Sequence, residues 1–412
     1  LDQRIMSGIA SEGFSIPTPI QQQTIPPALA GRDVLGLAQT GTGKTAAFVL
    51  PILQRILTGP KKKIRALIIT PTRELAEQIH GVIRDLGAKT GIKSMTIYGG
   101  ASMVPQLEKL RGGVEIVVAC PGRLLDHIRQ ETIDLSHVQV LVLDEADRML
   151  DMGFMPDIRS IMKHIPTQRQ TLLFSATMPD EIRVLADRFM QSPEVVEINH
   201  SQPLKTVEHV LFPVEQHLKM QLLTRILREF ESVSVLVFTR TKIRTRRIME
   251  KLKAEGFSVA ALQGDMPQSK RQQALQGFRD GKYHILVATD IAARGVDVLS
   301  ISHVINFDMP DSPDTYTHRA GRTGRAERSG QAFTLVTPDD APAVRTFERS
   351  MDVELHLREL DDFNYDSPAP ASSGHDRKHH NHRRQPRGVP ERGRAGARNA
   401  SRGKAPSAGR PA

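Results

Sequence analysis

The chain has 412 residues, with 56 Lys/Arg against 46 Asp/Glu, a formal charge of +10 and a pI near 9.8. Its one cysteine, Cys120, excludes an intrachain disulfide and a Cys-based zinc site, and points to a reducing, cytoplasmic setting. No apolar run is long enough to span a bilayer, LDQRIMSGIASEGF lacks a signal-peptide core, and a start at Leu1 rather than Met is expected to leave the native start upstream.

The first strand candidate is DVLGLAQ (33–39). It runs into Ala38-Gln39-Thr40-Gly41-Thr42-Gly43-Lys44-Thr45, a phosphate-binding loop with Ala38 where the commonest pattern has Gly. The glycines let backbone N–H groups approach phosphates. Lys44 is expected to reach the β/γ oxygens and Thr45 to ligate Mg²⁺, at a helix N-terminus of positive potential. Further strands are expected at 66–72, 94–100, 115–121, 138–146 and 171–177. Helix-length segments such as RELAEQIHGVIRDLGAKTG and PDEIRVLADRFMQ lie between them. The strand at 138–143 ends in Asp144-Glu145-Ala146-Asp147. An Asp at a buried strand end suits Mg²⁺, and Glu145 is then placed to orient or deprotonate an attacking water.

Polar residues and a Pro interrupt the pattern at 199–210. A second strand series follows at 234–241, 258–264, 284–290, 303–310 and 331–337, with KIRTRRIMEKLKAEG as a helix. Strand–helix alternation predicts two α/β domains with parallel sheets, at 1–202 and 203–362. The second has no phosphate loop, but Arg319, Arg322 and Arg325 recur at every third residue on a Gly-spaced segment, an anion clamp rather than a core.

The end of the chain is different in kind. Residues 363–412 carry 11 Lys/Arg and 3 Asp/Glu, a net of +8 that leaves +2 for the rest. From Asp366 on, the only aliphatic residue larger than Ala is Val389. Such a segment cannot offset its ordering entropy, so it is expected to be a disordered basic tail, either a solubilising extension or a salt-sensitive nucleic-acid tether.

Taken together, the motifs resemble the DEAD-box RNA helicases of superfamily 2, over about residues 1–350. Gly13-Phe14 and Pro17-Thr18-Pro19-Ile20-Gln21 resemble the family's Q motif. Pro71-Thr72-Arg73-Glu74-Leu75, Gly99-Gly100, Pro121-Gly122-Arg123 and Ser175-Ala176-Thr177 resemble its next four motifs. In the second half, 238–242, Gln263 to Arg271, Ala288 to Asp297 and His318 to Arg325 complete the ordered set. Two runs, Phe174 to Met190 and Ala288 to Arg294, resemble the bacterial RhlE-like subgroup.

The resemblance implies two tandem RecA-like domains with ATP between them. Phe14, Thr18, Gln21, the loop 38–45 and Asp297 are implied to bind ATP, with Lys44, Asp144, Glu145, Arg322 and Arg325 catalytic. Asp147, Ser175, Thr177, His318 and Arg319 are implied to couple the sites. Thr72, Arg73, Gly100, Arg123, Arg240, Gln268, Arg271 and Thr289 are implied to bind RNA, as single strand or short duplex, mainly through its backbone. The cofactors implied are ATP and Mg²⁺, the chain is expected to be a monomer, and RNP or RNA-decay proteins are candidate partners.

Two departures stand out. The family's adenine-stacking aromatic would precede Leu1, and Cys120 stands where the family usually has Thr. Three other classes fit less well or equally: a DNA translocase, against which Gln21 and Asp147 argue; a chaperone acting through its tail, against which Lys44, Glu145 and Arg325 argue; and an ATP-gated RNA clamp with slow hydrolysis, which uses the same residues.

Overall fold

The structure, a computed structural model, describes residues 1–39, 41–198, 207–230, 234–293, 301–324, 330–351 and 354–368. Fourteen strands among them form two sheets. The first contains β1 (Val34–Leu37), β2 (Ala66–Ile69), β3 (Ser94–Ile97), β4 (Ile116–Ala119), β5 (Val140–Leu143), β6 (Gln170–Ser175) and β7 (Glu194–Glu197). The second contains β8 (Val207–Pro213), β9 (Val235–Thr239), β10 (Val259–Leu262), β11 (Ile285–Thr289), β12 (His303–Asn306), β13 (Gly330–Val336) and β14 (Leu355–Leu357). The orders are β3-β4-β2-β5-β6-β1-β7 and β10-β11-β9-β12-β13-β8-β14, which is one topology used twice. Neighbouring strands pair in parallel throughout, for example β1 with β6 and β8 with β13. These are two tandem RecA-like α/β folds.

Continuous apolar strands form here because both sheet faces are covered. Ile68, Val118, Val142 and Phe174 face one layer of the core, with Phe48 and Ile52 of helix Lys44–Ile56 and Ile79 of helix Arg73–Leu86. Leu67, Val117, Leu141 and Leu173 alternate to the other layer, with Leu124 and Leu185 of helices Pro121–Arg129 and Asp180–Phe189. Parallel strands put their carboxyl ends along one edge of each sheet, and the polar motifs lie there.

Three strands escape a reading based on apolar runs. β7 and β14 are short and largely exposed edge strands, so they show no run at all. β8 begins inside the stretch 199–210 that reads as an interruption; Val207 is already paired with Gly330. The start of the tail also needs correction. Phe363 and Tyr365, which composition groups with 363–412, pack on the second core with their rings 4.8 Å apart, edge to face. The Tyr365 hydroxyl accepts from the N–H of Leu360 at 3.1 Å, and the ring of His217 lies 2.7 Å from the carbonyl of Ser367. The rest of the expected tail, 369–412, lies outside the described residues, as do Thr40, Asp297 and Arg325.

The repeated topology explains why one sheet carries a phosphate loop and the other does not. The helix after β1 starts at Lys44, and the helix after β8 starts at Lys219. Lys219 is buried, and its ammonium donates to the carbonyls of Phe307 (3.1 Å) and Leu335 (2.8 Å). The turn before it, Val214 to Leu218, has no glycine. The second sheet fills the equivalent place with its own lysine.

Candidate nucleotide and nucleic-acid sites

The loop after β1 is held from three sides. The N–H of Ala38 donates to the carbonyl of Ser175 at 3.0 Å, Lys44 Nζ to the carbonyl of Ala38 at 2.7 Å, and Thr42 Oγ1 to the carbonyl of Gln39 at 2.9 Å. Gly43 has a φ of 93°, and a Cβ there would sit 2.7 Å from Gln21 Nε2. That close approach lets Gln21 Nε2 donate to the Gly43 carbonyl at 3.1 Å, while Gln21 Oε1 accepts from the N–H of Thr18 at 3.0 Å. A side-chain amide has two donors and two lone pairs, so one of each remains at Gln21. Phe14 is half exposed.

Asp144 closes β5 and is buried. Burial pushes its carboxyl up to about 6, and the Lys44 ammonium offsets only part of that penalty. The half-buried Thr45 hydroxyl and the Asp144 carboxylate are hard oxygen donors, which fit Mg²⁺. Among the described residues no cluster of three His, Cys, Asp or Glu could cage a metal. Mg²⁺ characteristically takes one or two carboxylates and completes its shell with water and phosphate oxygens.

Glu145 stands next to it at φ 53°, ψ 53°, a left-handed conformation that costs a non-glycine residue about 1–3 kcal/mol. Its carboxylate is buried and accepts from Arg148 Nη1 at 2.6 Å. Asp147 is a hub. Its Oδ2 accepts from the N–H groups of Ala176 and Thr177, both at 3.1 Å, and from Thr177 Oγ1 at 3.3 Å, while its own N–H donates to Ser175 Oγ at 3.2 Å. The end of β5 and the end of β6 therefore move as one unit.

Arg148 also lines a gap of about 20 Å³ with His318, Arg319 and Arg322 of the second fold. Arg319 is a strut within that fold. It holds Asp290 through two bonds of 2.6 and 2.7 Å, donates to Asn306 Oδ1 and the Asp308 carbonyl, and stacks 5.0 Å above the Phe238 ring. Arg322 is buried beside it.

A second cleft, of about 330 Å³, joins the two folds, also at the carboxyl ends of their strands. Of the residues expected to bind RNA, Thr72, Arg73, Arg123, Gln268 and Arg271 line it. Thr72 Oγ1 caps helix Arg73–Leu86 by accepting from the Leu75 N–H at 3.3 Å. Arg73 Nη1 donates across the domains to Gln268 Oε1 at 3.3 Å. Arg123 donates to the Ala101 carbonyl at 3.1 Å. Arg271 differs from expectation. Its guanidinium is buried and held by Glu74 at 2.7 and 2.8 Å and by the carbonyls of Gln263 and Ala292. It joins the domains rather than offering donors to a phosphate. Arg240 and Thr289 are not in this cleft; Arg240 pairs with Asp311 at 3.3 Å. Cys120 lines it, with burial pushing its thiol up to about 12, so the sulfur is neutral and unreactive.

Gly100 underlies Arg73. A Cβ there would overlap the guanidinium, at a φ of 72° that already favours glycine. Gly100→Ala is expected to cost about 1–3 kcal/mol of backbone strain. It should push Arg73 from the cleft, weakening RNA binding without changing nucleotide binding; equal loss at both sites would contradict this placement.

Sequence reasoning missed Arg148, Asp290 and the role of Glu74. Arg148 lies three residues after Glu145, the spacing of a helical ion pair, which is a readable signal. Glu74 and Arg271 are 197 residues apart, and nothing local connects them.

The family model for the DEAD/DEAH box helicase matches residues 18–185, and that for the helicase conserved C-terminal domain matches 218–327. The DEAD-box ATP-dependent RNA helicase CshA of Geobacillus kaustophilus is 44% identical over 351 residues, which are 85% of this chain and 75% of that protein. The Bacillus subtilis CshA is 43% identical over 351 residues, 85% of this chain and 71% of that protein. The name these relatives carry is not that of the RhlE-like subgroup expected from two runs of sequence. S. cerevisiae Dbp5 bound to RNA and ADP BeF3 is similar in structure, with a TM-score of 0.78 and 30% identity over 88% of this chain and 95% of that one. Mss116p bound to ssRNA and AMP-PNP gives a TM-score of 0.78 at 28% identity, over 87% and 78%.

Proposed function

Because this chain belongs to the DEAD-box ATP-dependent RNA helicase family, we propose that it hydrolyses ATP between its two RecA-like folds when RNA fills the second cleft between them. One observation carries the reading. Residues from both sheets, Arg73, Arg123 and Gln268 among them, meet in a single cleft, locked by the buried Glu74–Arg271 pair. A strand in that cleft bridges both folds. Its binding therefore favours the arrangement that sets Arg322 near Arg148 and Glu145.

The chemistry follows from the placed groups. Backbone N–H groups of the loop and Lys44 bind the phosphates of ATP. The remaining donor and acceptor of Gln21 suit the adenine edge, and Phe14 lies beside it. Thr45 and Asp144 would hold Mg²⁺, which would supply charge neutralisation for the phosphates. Glu145 takes the proton of the attacking water. Arg322, with Arg325, stabilises charge as the terminal phosphoryl leaves. Asp147, Ser175 and Thr177 link that event to the strand ends bordering the RNA cleft. Arg319 and His318 shape the segment that carries Arg322, and Asp297 is proposed as a further ATP-binding residue. Arg240 and Thr289 serve RNA outside the cleft. Phosphate release removes the bridging contacts, the folds separate, and a bent strand is let go.

Both halves of the site come from one chain, so a monomer suffices. The setting is the cytoplasm, and RNP or RNA-decay proteins are the partners to test. Among the described residues no helix is long and apolar enough to cross a membrane. The Glu145–Arg148 pair favours a second reading, an RNA clamp that hydrolyses slowly, because it draws the base toward a cation. Turnover under saturating RNA separates the two.

The test compares ATP hydrolysis with RNA, with DNA of the same sequence and with neither, alongside separation of a short RNA duplex. RNA should stimulate and DNA should not. Full activity without RNA, or none with it, sinks the proposal. Lys44→Ala removes a charge-assisted contact worth about 1.5–3 kcal/mol, so nucleotide affinity should fall about 10- to 150-fold. Unchanged affinity would remove Lys44 from the phosphate site.

A further inference from the structure

Three concavities follow one another along helix Arg73–Leu86. At its amino end lies the cleft already described. Next comes a groove of about 650 Å³, lined by Glu77, Gln78 and Gly81 and by Gln268 and Gln272 of helix Gln268–Arg279. His80 and Arg84 then line a third, of about 550 Å³, where Gly91 and Gly112 leave the backbone exposed. Lys93 and Lys109 complete it, and no carboxylate is among its described lining residues.

This third pocket lies at the amino ends of the strands, opposite the nucleotide loop. The segments entering β2, β3 and β4 are all basic there: Lys61, Lys62 and Lys63 before β2, Lys93 before β3 and Arg111 before β4, each exposed. Two acids nearby each answer one cation, Asp85 beside Arg84 at 3.0 Å and Asp134 beside Lys63 at 3.7 Å, which leaves Lys61, Lys62, Lys93, Lys109 and Arg111 in excess. Glu115 is buried and accepts from the backbone N–H groups of Lys62 (2.6 Å) and Lys93 (2.8 Å). Arg84, Lys109 and Arg111 fall in the last turns of helices, where a cation answers the helix dipole. Lys61, Lys62, Lys63 and Lys93 lie outside both helices and exceed that account. A fold close to neutral over its first 362 residues thus concentrates positive charge at one rim.

We propose that this pocket and its lysine rim are a second polyanion site, which holds the sugar–phosphate backbone of RNA leaving the cleft along helix Arg73–Leu86. The inference rests on the RNA reading of the cleft. Fourteen helical residues span about 20 Å, and at about 3.4 Å per stacked nucleotide that is about six nucleotides beyond the cleft. The lysines neutralise phosphates, so the site reads no sequence, and its share of affinity falls with salt.

The test uses the full chain and two RNAs: a short one that saturates ATP hydrolysis, and the same RNA extended by ten nucleotides at either end. The extension should raise affinity about tenfold. Lys93→Glu with Lys109→Glu should abolish that gain, lower the salt slope by about 0.7 per lost contact, and leave affinity and turnover with the short RNA unchanged. Lys93→Gln with Lys109→Gln, read with the melting temperature, separates lost contacts from lost folding and should remove part of the gain. No gain from extension, or equal loss with both RNAs, overturns the proposal. So does competition by poly-glutamate as effective as by RNA, which would assign the rim to an acidic protein. If the short RNA fails to stimulate hydrolysis, it is the reading of the cleft that fails instead.

Discussion

Replacing Glu145 with Gln is expected to lower RNA-stimulated ATP turnover by about 10²- to 10⁴-fold while nucleotide and RNA stay bound together. The amide keeps the size of the carboxylate, and the backbone of residue 145 keeps its left-handed φ of 53° at the start of helix Ala146–Asp151. It cannot take the proton of the attacking water. It still accepts from Arg148 but leaves that buried guanidinium without its countercharge. Some stability is therefore lost as well, and the melting temperature must be read beside the kinetics. Single-turnover hydrolysis and the lifetime of the complex with labelled RNA together decide the matter. A variant that turns over normally removes Glu145 from the role of base. One that neither hydrolyses nor binds nucleotide shows that the pair with Arg148 is structural.

Arg319→Met should be as damaging, by a different route. The guanidinium makes four hydrogen bonds, two to Asp290 and one each to Asn306 and the Asp308 carbonyl, in a buried setting. Arg319 is buried but Asp290 keeps 28% of its side-chain surface in water, so removing the guanidinium should cost somewhat less than the about 3–5 kcal/mol of a fully buried pair. The second fold should melt first and turnover should be lost. Arg319→Lys should not rescue it, since a point charge cannot grip Asp290 with two parallel bonds. Pairing Arg319→Met with Asp290→Leu should recover most of the stability, as apolar replacement of a whole buried pair often does. If hydrolysis returns with stability, Arg319 only holds the fold together. If stability returns alone, the pair also sets the position of Arg322. A single variant that melts like the parent would contradict the geometry of the strut.

The strands that could be read from sequence were those whose neighbours cover both faces, such as ALII at 66–69 and VLVL at 140–143. β7 and β14 could not, because an exposed edge strand of three or four residues leaves no apolar signature. The same contrast holds for the site. The loop 38–45 and Asp144–Asp147 are contiguous, and their chemistry depends on local spacing, so they were legible. Arg271 was legible as a cation but not in its role, since its partner Glu74 is brought to it only by docking of two folds. Tail composition was legible too, but its start was not: Phe363 and Tyr365 are two aromatic residues whose partners lie far back in the chain.

The claim that binds these parts together is that closure couples the two clefts. RNA affinity should be measured on one preparation with a saturating non-hydrolysable ATP analogue and again with ADP. The coupling expected of a two-state closure is about 1–3 kcal/mol, so the analogue should tighten RNA by about 5- to 150-fold over ADP, and RNA should raise the preference for analogue over ADP by the same factor. Equal RNA affinity in the two nucleotide states would contradict the account.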